Sequence, residues 1–132
     1  MRINDVVYDN VVYCGDIRCL KTNDISLNAL LEKTHNFRFH GTTSVFVKVS
    51  KNDFSWIYIP SNELRCHRLI CNNNFVPNDD EFTYGTLEYT DDISLDEIMR
   101  DIRNLPFDAE IIDLNRTECS YPIVDSYSAE TM

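Results

Sequence analysis

The sequence predicts an α+β domain, a mostly antiparallel sheet of about five to seven strands with two helices packed on it. Three observations carry this. Strand-like stretches follow one another from Phe37 to about Tyr89 without an intervening helix, the pattern of an antiparallel sheet rather than of alternating βαβ units. Leu95 to Leu105 sets apolar residues at helical spacing behind a capping signal. At 132 residues and 43% hydrophobic, the chain is one domain in size, and a domain of that length buries roughly two thirds of its unfolded surface.

The opening reads as strand, with Val6, Val7 and Tyr8 followed by Val11, Val12 and Tyr13, ending at Gly15-Asp16. Ser26 is placed to cap a short helix over Leu27 to Lys33, in which Leu27, Leu30 and Leu31 share a face. His35-Asn36 end it. Val45, Val47 and Val49 alternate with Ser44, Phe46, Lys48 and Ser50, giving one β-branched apolar face. Ser50-Lys51-Asn52-Asp53 supplies turn chemistry, and Trp56 and Tyr58 then share one face of the next strand with Ile57 and Ile59 on the other, so the two strands are expected to form a hairpin. Residues 64 to 71 form a further strand, Asn72 to Asn78 a loop, and Phe82 to Tyr89 a strand in which Gly85 allows close approach of another group. Ser94 and Glu97 make a capping box ahead of the stripe Leu95, Ile98, Met99, Ile102 and Leu105, and Pro106 ends that helix. Ala109 to Leu114 and Tyr121 to Val124 read as two late strands, and Asp125 to Met132 as a frayed tail.

Composition excludes several classes of function. The formal charge is −10, from 22 acidic against 12 basic residues, whereas affinity for nucleic acid comes largely from Lys and Arg. No nucleic-acid partner is expected. Neither a run of about 18 apolar residues nor a signal-peptide start is present, which predicts no membrane span, no export and a cytoplasmic location. The five cysteines include two C-x4-C pairs, Cys14/Cys19 and Cys66/Cys71, with His67 beside Cys66. On a regular strand, Cys66 and Cys71 would stand about 17 Å apart on opposite faces, too far for one zinc ion. Free thiols and no metal are expected.

Catalytic motifs are also missing. With glycine only at 15, 41 and 85, neither a dinucleotide-binding fingerprint nor a Walker loop can be written, and His35, His40 and His67 lack the spacing that would join them on one element. No residue is assigned as catalytic. The constellation that stands out is aromatic and basic: Trp56, Tyr58, Arg65, His67, Arg68 and Phe75 fall on neighbouring strands of the expected sheet. Such a face grips a sugar or nucleotide through ring contacts and Arg–phosphate bonds, although a core role for the aromatics and a solvated role for the arginines fit the same pattern.

Several segments follow a known order. Tyr8-Asp9-Asn10-Val11-Val12-Tyr13-Cys14-Gly15 is similar to Y-D-x-V-V-Y-T-G-P-I-D, with Cys14 in place of Thr and Asp16-Ile17-Arg18 in place of Pro-Ile-Asp. Trp56-Ile57-Tyr58-Ile59-Pro60, His67-Arg68-Leu69 and Asn74-Phe75-Val76-Pro77-Asn78 follow, and Tyr121-Pro122-Ile123-Val124-Asp125 closes the series. From about residue 7 to 127 the chain thus resembles FAD-dependent amine oxidases of the protoporphyrinogen-oxidase type, in the UDP-galactopyranose mutase-like branch. The resemblance implies the substrate-binding portion of a larger flavoprotein, inactive alone. FAD would be bound mainly by a missing domain of the same polypeptide, and the substrate would be a small molecule such as a nucleotide sugar or an amine. Arg68 matches the arginine that lines the family's substrate cleft, with His67 standing where the family has threonine. Tyr58 and Trp56 are the other expected substrate contacts. The competing possibility is a stand-alone acidic binding protein, an inhibitor or immunity protein that masks a basic partner.

Overall fold

The computed structural model describes residues 2–123 and 125. The backbone forms two compact units, Met1–Arg38 with Ile123–Met132, and Phe39–Pro122. Val124 and residues 126–132, including most of the expected tail, lie outside the described residues.

In the first unit β1 (Arg2–Ile3) and β2 (Val6–Val7) pair antiparallel. Asn4 and Asp5 close the turn at φ 47° and 69°, the left-handed conformation that suits a two-residue hairpin. The ladder stops there, and the strand expected to continue through Tyr13 is not formed. β-propensity is realised only where a partner and a buried face exist, and Val12 is instead 85% exposed.

Helix α1 spans Ile25–Lys33, and its cap is Asp24 rather than Ser26. Asp24 accepts the Leu27 N–H at 3.0 Å, while Asn28 Nδ2 donates to the Thr22 carbonyl at 2.7 Å and fixes the entry of the chain. Of the expected apolar face only Leu31 is buried; Leu27 and Leu30 are exposed. A 3-10 turn over Thr34–Asn36 ends the helix. Farther on, the Ile123 N–H donates to the Arg38 carbonyl, and the Arg38 guanidinium pairs with Asp125.

The second unit contains a five-stranded antiparallel sheet, confirming the α+β class. Its strands are β3 (Phe39–Ser50), β4 (Trp56–Tyr58), β5 (Cys66–Cys71), β6 (Phe82–Thr90) and β7 (Ala109–Pro122), in the order β4-β5-β6-β3-β7. The expected hairpin between the valine-rich strand and the Trp56 strand is therefore wrong. β4 pairs with β5 at the far edge, because the intervening segment is stapled to another loop: Asn74 Nδ2 donates to the carbonyls of Asn52 and Phe54 at 2.7 and 2.8 Å. The two late strands are one, since β7 follows β3 from Ala109 to Pro122 and absorbs its irregularities at two register shifts. Gly85 earns its place in β6 through close approach by β5, where an added Cβ would lie 2.9 Å from the Ile70 carbonyl oxygen.

One sheet face is closed. Val45, Val47 and Val49, Leu87 and Tyr89, and Cys66, Leu69 and Cys71 pack with Ile98 of helix α2 (Leu95–Asn104) and with the half-buried Ile102 and Leu105. The expected capping box of Ser94 and Glu97 is present, and the Ser94 contacts hold the Glu97 carboxyl below its ordinary range. The apolar stripe is narrower than expected, because Leu95 and Met99 are exposed while Asp101 is fully buried. Its Oδ2 accepts the backbone N–H groups of Arg65 at 2.6 Å and Cys66 at 3.0 Å, so one carboxylate fastens α2 to the start of β5.

β5 also departs from regular alternation. Cys66 faces Tyr89 and Arg68 faces Glu88, leaving His67 as an extra residue between them. This bulge resets the alternation and turns Cys66 and Cys71 to the same buried side, not to opposite faces.

Asp101→Ala strands the buried Cys66 N–H and the part-buried Arg65 N–H and is expected to lower the unfolding free energy by about 2–5 kcal/mol. Asp101→Asn keeps one accepting oxygen and should cost less. Urea unfolding measures both, and equal losses would assign the effect to the charge instead of the acceptor. Burial, helped by the Asp101 charge, pushes the Cys66 thiol up to about 11 from 9.0. The unfolded chain then loses this proton first as pH rises, so the contribution to stability is intact below about pH 9 and declines as the pH climbs toward 11. In a native thiol titration Cys14, Cys19 and Cys119 should react readily, with Cys66 and Cys71 appearing only in denaturant. Prompt reaction of all five would contradict this packing.

Candidate functional site

No helix of this unit covers the other face of the sheet among the described residues, and strand pairing sets its residues in rows. One row runs Tyr58, Arg68, Glu88, Ser44 and Asn115; the next runs Trp56, Ile70, Thr86, Phe46 and Asp113. At the centre of the first row the Arg68 Nε donates to the Glu88 carboxylate, with side chains only 18% and 13% exposed. Arg68 Nη2 donates to the Tyr121 hydroxyl at 3.3 Å, and its guanidinium carbon lies 4.8 Å from the centre of the Trp56 ring. The arginine is thus held on three sides by an anion, a hydroxyl and an aromatic face.

The bulge places His67 beside this pair, with Nε2 3.8 Å from Glu88 Oε2, the same oxygen that accepts from Arg68. Burial lowers the His67 pKa from its ordinary 6.5, the Arg68 charge lowers it further, and Glu88 opposes both, so the neutral ring is favoured. The Glu88 hydrogen bond raises Arg68 above its ordinary value.

A cleft of about 300 Å³ opens beside Arg68 and Glu88. His67, Tyr121 and the threonines 42 and 90 line it with His40. His40 Nδ1 lies 3.5 Å from the Asp91 carboxylate, which also accepts the Gly41 N–H at 3.0 Å. Asp91 adopts φ 61° and so turns the end of β6 back toward Gly41. A larger hollow of about 470 Å³ near Leu105 and Phe107 sets Lys48 3.6 Å from the centre of the Phe82 ring, with Arg103, Asp108 and Glu110 also on its walls.

The structure unites part of the constellation expected from sequence. Trp56, His67 and Arg68 come together, with the Tyr58 ring 6.0 Å from Trp56 and 69% exposed. Arg65 does not join them; it pairs with Glu97 of α2 at 3.0 Å. Phe75 sits apart in a 3-10 turn over Asn72–Phe75, where the asparagines are occupied in shaping the loop. Asn73, for example, donates to Asp80 at 2.7 Å and accepts the Tyr84 N–H at 2.9 Å. Sequence reasoning missed Glu88, Tyr121 and His40. Glu88 had a usable signal as the charged residue within Phe82–Thr90, out of phase with the buried Leu87 and Tyr89.

The chain's own residues do not fit a dinucleotide cofactor. Gly41 and Gly85 lie within strands, Gly15 packs against the Tyr13 ring, and none has positive φ, so no glycine turn cradles a pyrophosphate. Among the described residues, no three His, Cys, Asp or Glu side chains converge as metal ligands would, and no helix is long and apolar enough to cross a membrane.

The His67 ring should titrate below 6.5 in an NMR pH series. Arg68→Gln, by removing the adjacent positive charge, should raise that midpoint; an unmoved midpoint would place the ring outside the influence of Arg68.

No family model matches the chain. No curated protein sequence matches it either. Among solved structures, the crystal structure of a reduced UDP-galactopyranose mutase is similar, with a TM-score of 0.52 and 15% identity over 80% of this chain. The match spans 27% of the mutase chain. At this identity the likeness is one of fold, shared between most of this chain and a segment of a much longer one.

Proposed function

We propose that this chain is the substrate-side portion of a larger amine oxidase-like, UDP-galactopyranose mutase-like flavoprotein, forming one wall of the substrate cleft without being catalytic alone. The observation that carries this is the position of Arg68, held between Glu88, Tyr121 and Trp56 on an open sheet face whose reverse is closed by α2. A rigid sheet with one face that no helix of its own unit covers suits a cleft wall, and the fold likeness to a segment of the mutase supports that use.

Arg68, Tyr58 and Trp56 are the proposed substrate contacts. Trp56 and Tyr58 offer ring edges and faces to an apolar or sugar-like surface, while Arg68 offers N–H donors whose direction is fixed before substrate arrives. FAD would be held mainly by a further domain of the same polypeptide, since the glycines here provide no cradle for it. When bound, the flavin would supply the redox or covalent chemistry, and the residues of this chain would orient the substrate. The mutase likeness favours a nucleotide sugar over an amine.

An immunoblot of the source cells should find a native product much larger than 132 residues, and the purified product should be yellow with bound flavin. A product of this length without flavin would overturn the proposal. In that full-length protein Arg68→Ala should weaken substrate binding by about 1.5–3 kcal/mol, the scale of a charged hydrogen bond; unchanged affinity would remove Arg68 from the site.

A further inference from the structure

Arg68 would serve as a phosphate clamp only if its charge were available. Here it is not: Glu88, itself largely buried, accepts from Nε and cancels that charge within the sheet face. The rest of the cleft does not restore a positive balance. Its walls add the Tyr121, Thr42 and Thr90 hydroxyls and two imidazoles, but no lysine and no second arginine among the described residues. Burial and the Arg68 charge favour the neutral form of His67, and His40 stands beside the Asp91 carboxylate. A phosphate entering this cleft would meet one guanidinium already paired and one carboxylate in a poorly hydrated setting, where like-charge repulsion is strong.

Donors and acceptors remain available for an uncharged ligand. Arg68 uses Nε for Glu88 and one Nη2 proton for Tyr121, leaving Nη1 without a hydrogen bond among the described residues. The cleft hydroxyls can donate or accept.

We propose that Glu88 sets the specificity of this cleft: it holds Arg68 in position and cancels its charge, so that an uncharged hydroxylated group is accepted where a phosphate is turned away. Glu88 is a positioning residue in this role, acting through Arg68. The inference rests on the open face being a substrate wall, and it assigns any phosphate of that substrate to residues outside the cleft.

Trp56 is the sole tryptophan and carries Arg68 on its ring, so its fluorescence reports on the cleft. In the full chain, methyl β-D-galactopyranoside should change that fluorescence saturably at millimolar concentration, whereas inorganic pyrophosphate should not. Glu88→Gln should gain pyrophosphate affinity by about tenfold or more, because a full charge is removed beside Arg68, and adding Arg68→Gln should abolish the gain. Arg68-dependent binding of pyrophosphate by the wild-type chain, or a Glu88→Gln variant that folds and gains nothing, would overturn the proposal. So would a wild-type chain that ignores the glycoside. Should Glu88→Gln fail to fold, the wild-type comparison of the two probes decides the matter alone. These outcomes are independent of product size and flavin content, so the charge-setting role and the flavoprotein assignment can fail separately.

Discussion

The second unit depends on the junction where β5 begins. One carboxylate, Asp101 Oδ2, accepts the N–H groups of Arg65 and Cys66, and immediately afterwards β5 takes one residue more than β6 opposite. The carboxylate satisfies two backbone donors, one buried and one part-buried, at the start of the strand, and in doing so it brings α2 against the sheet. The extra residue then sets the phase of everything that follows. Cys66, Leu69 and Cys71 all turn to the side that α2 covers, while Arg68 joins the open face and His67 comes within reach of Glu88. Core and cleft are thus specified by the same two residues of irregular backbone, Cys66 and His67.

The open face handles its charges differently from the closed one. Asp101 is buried among apolar side chains and serves backbone donors, so its loss would be felt in stability. Glu88 is nearly as inaccessible but serves a side chain. The desolvation cost of two largely buried ions offsets much of their attraction, and pairing Arg68 with Glu88 therefore adds little to stability compared with an apolar pair of similar volume. Its consequence is geometric. A long side chain with four rotatable torsions is reduced to one orientation by three partners on β4, β6 and β7.

Much of this was legible in the sequence, and the failures have physical causes. The valine face of β3, the Trp56/Tyr58 alternation and the capping box of α2 are local patterns that the structure keeps, whereas the Ser26 cap and the strand through Tyr13 are local patterns that it does not. Arg68 is singled out in the sequence by motif order. The expected hairpin between β3 and β4 fails because Ser50 to Asp53 has turn chemistry, whereas its conformation is decided by Asn74, more than twenty positions away. The single extra residue at His67 is invisible in a period-two pattern, so the phase of Cys66 was inverted. Asp101 falls at i+3 from Ile98, on the buried side of α2, but its charge disguised that placement. Tyr121 and His40 meet at the cleft only through the long β3–β7 ladder, which sequence spacing does not encode.

Charge on the larger scale bears on the same cleft. With a formal charge of −10, the chain presents a repulsive field to any anionic ligand approaching from solvent. A paired Arg68 does not overcome that field locally, because the Glu88 carboxylate is part of the same surface. An anionic group on a substrate would therefore need cations from outside this chain, while the uncharged part of the substrate could rest against Arg68, Tyr121 and the Trp56–Tyr58 pair without electrostatic cost. Such a division would make the acidity of the chain a constraint on substrate orientation: one end is directed to the sheet and the charged end away from it.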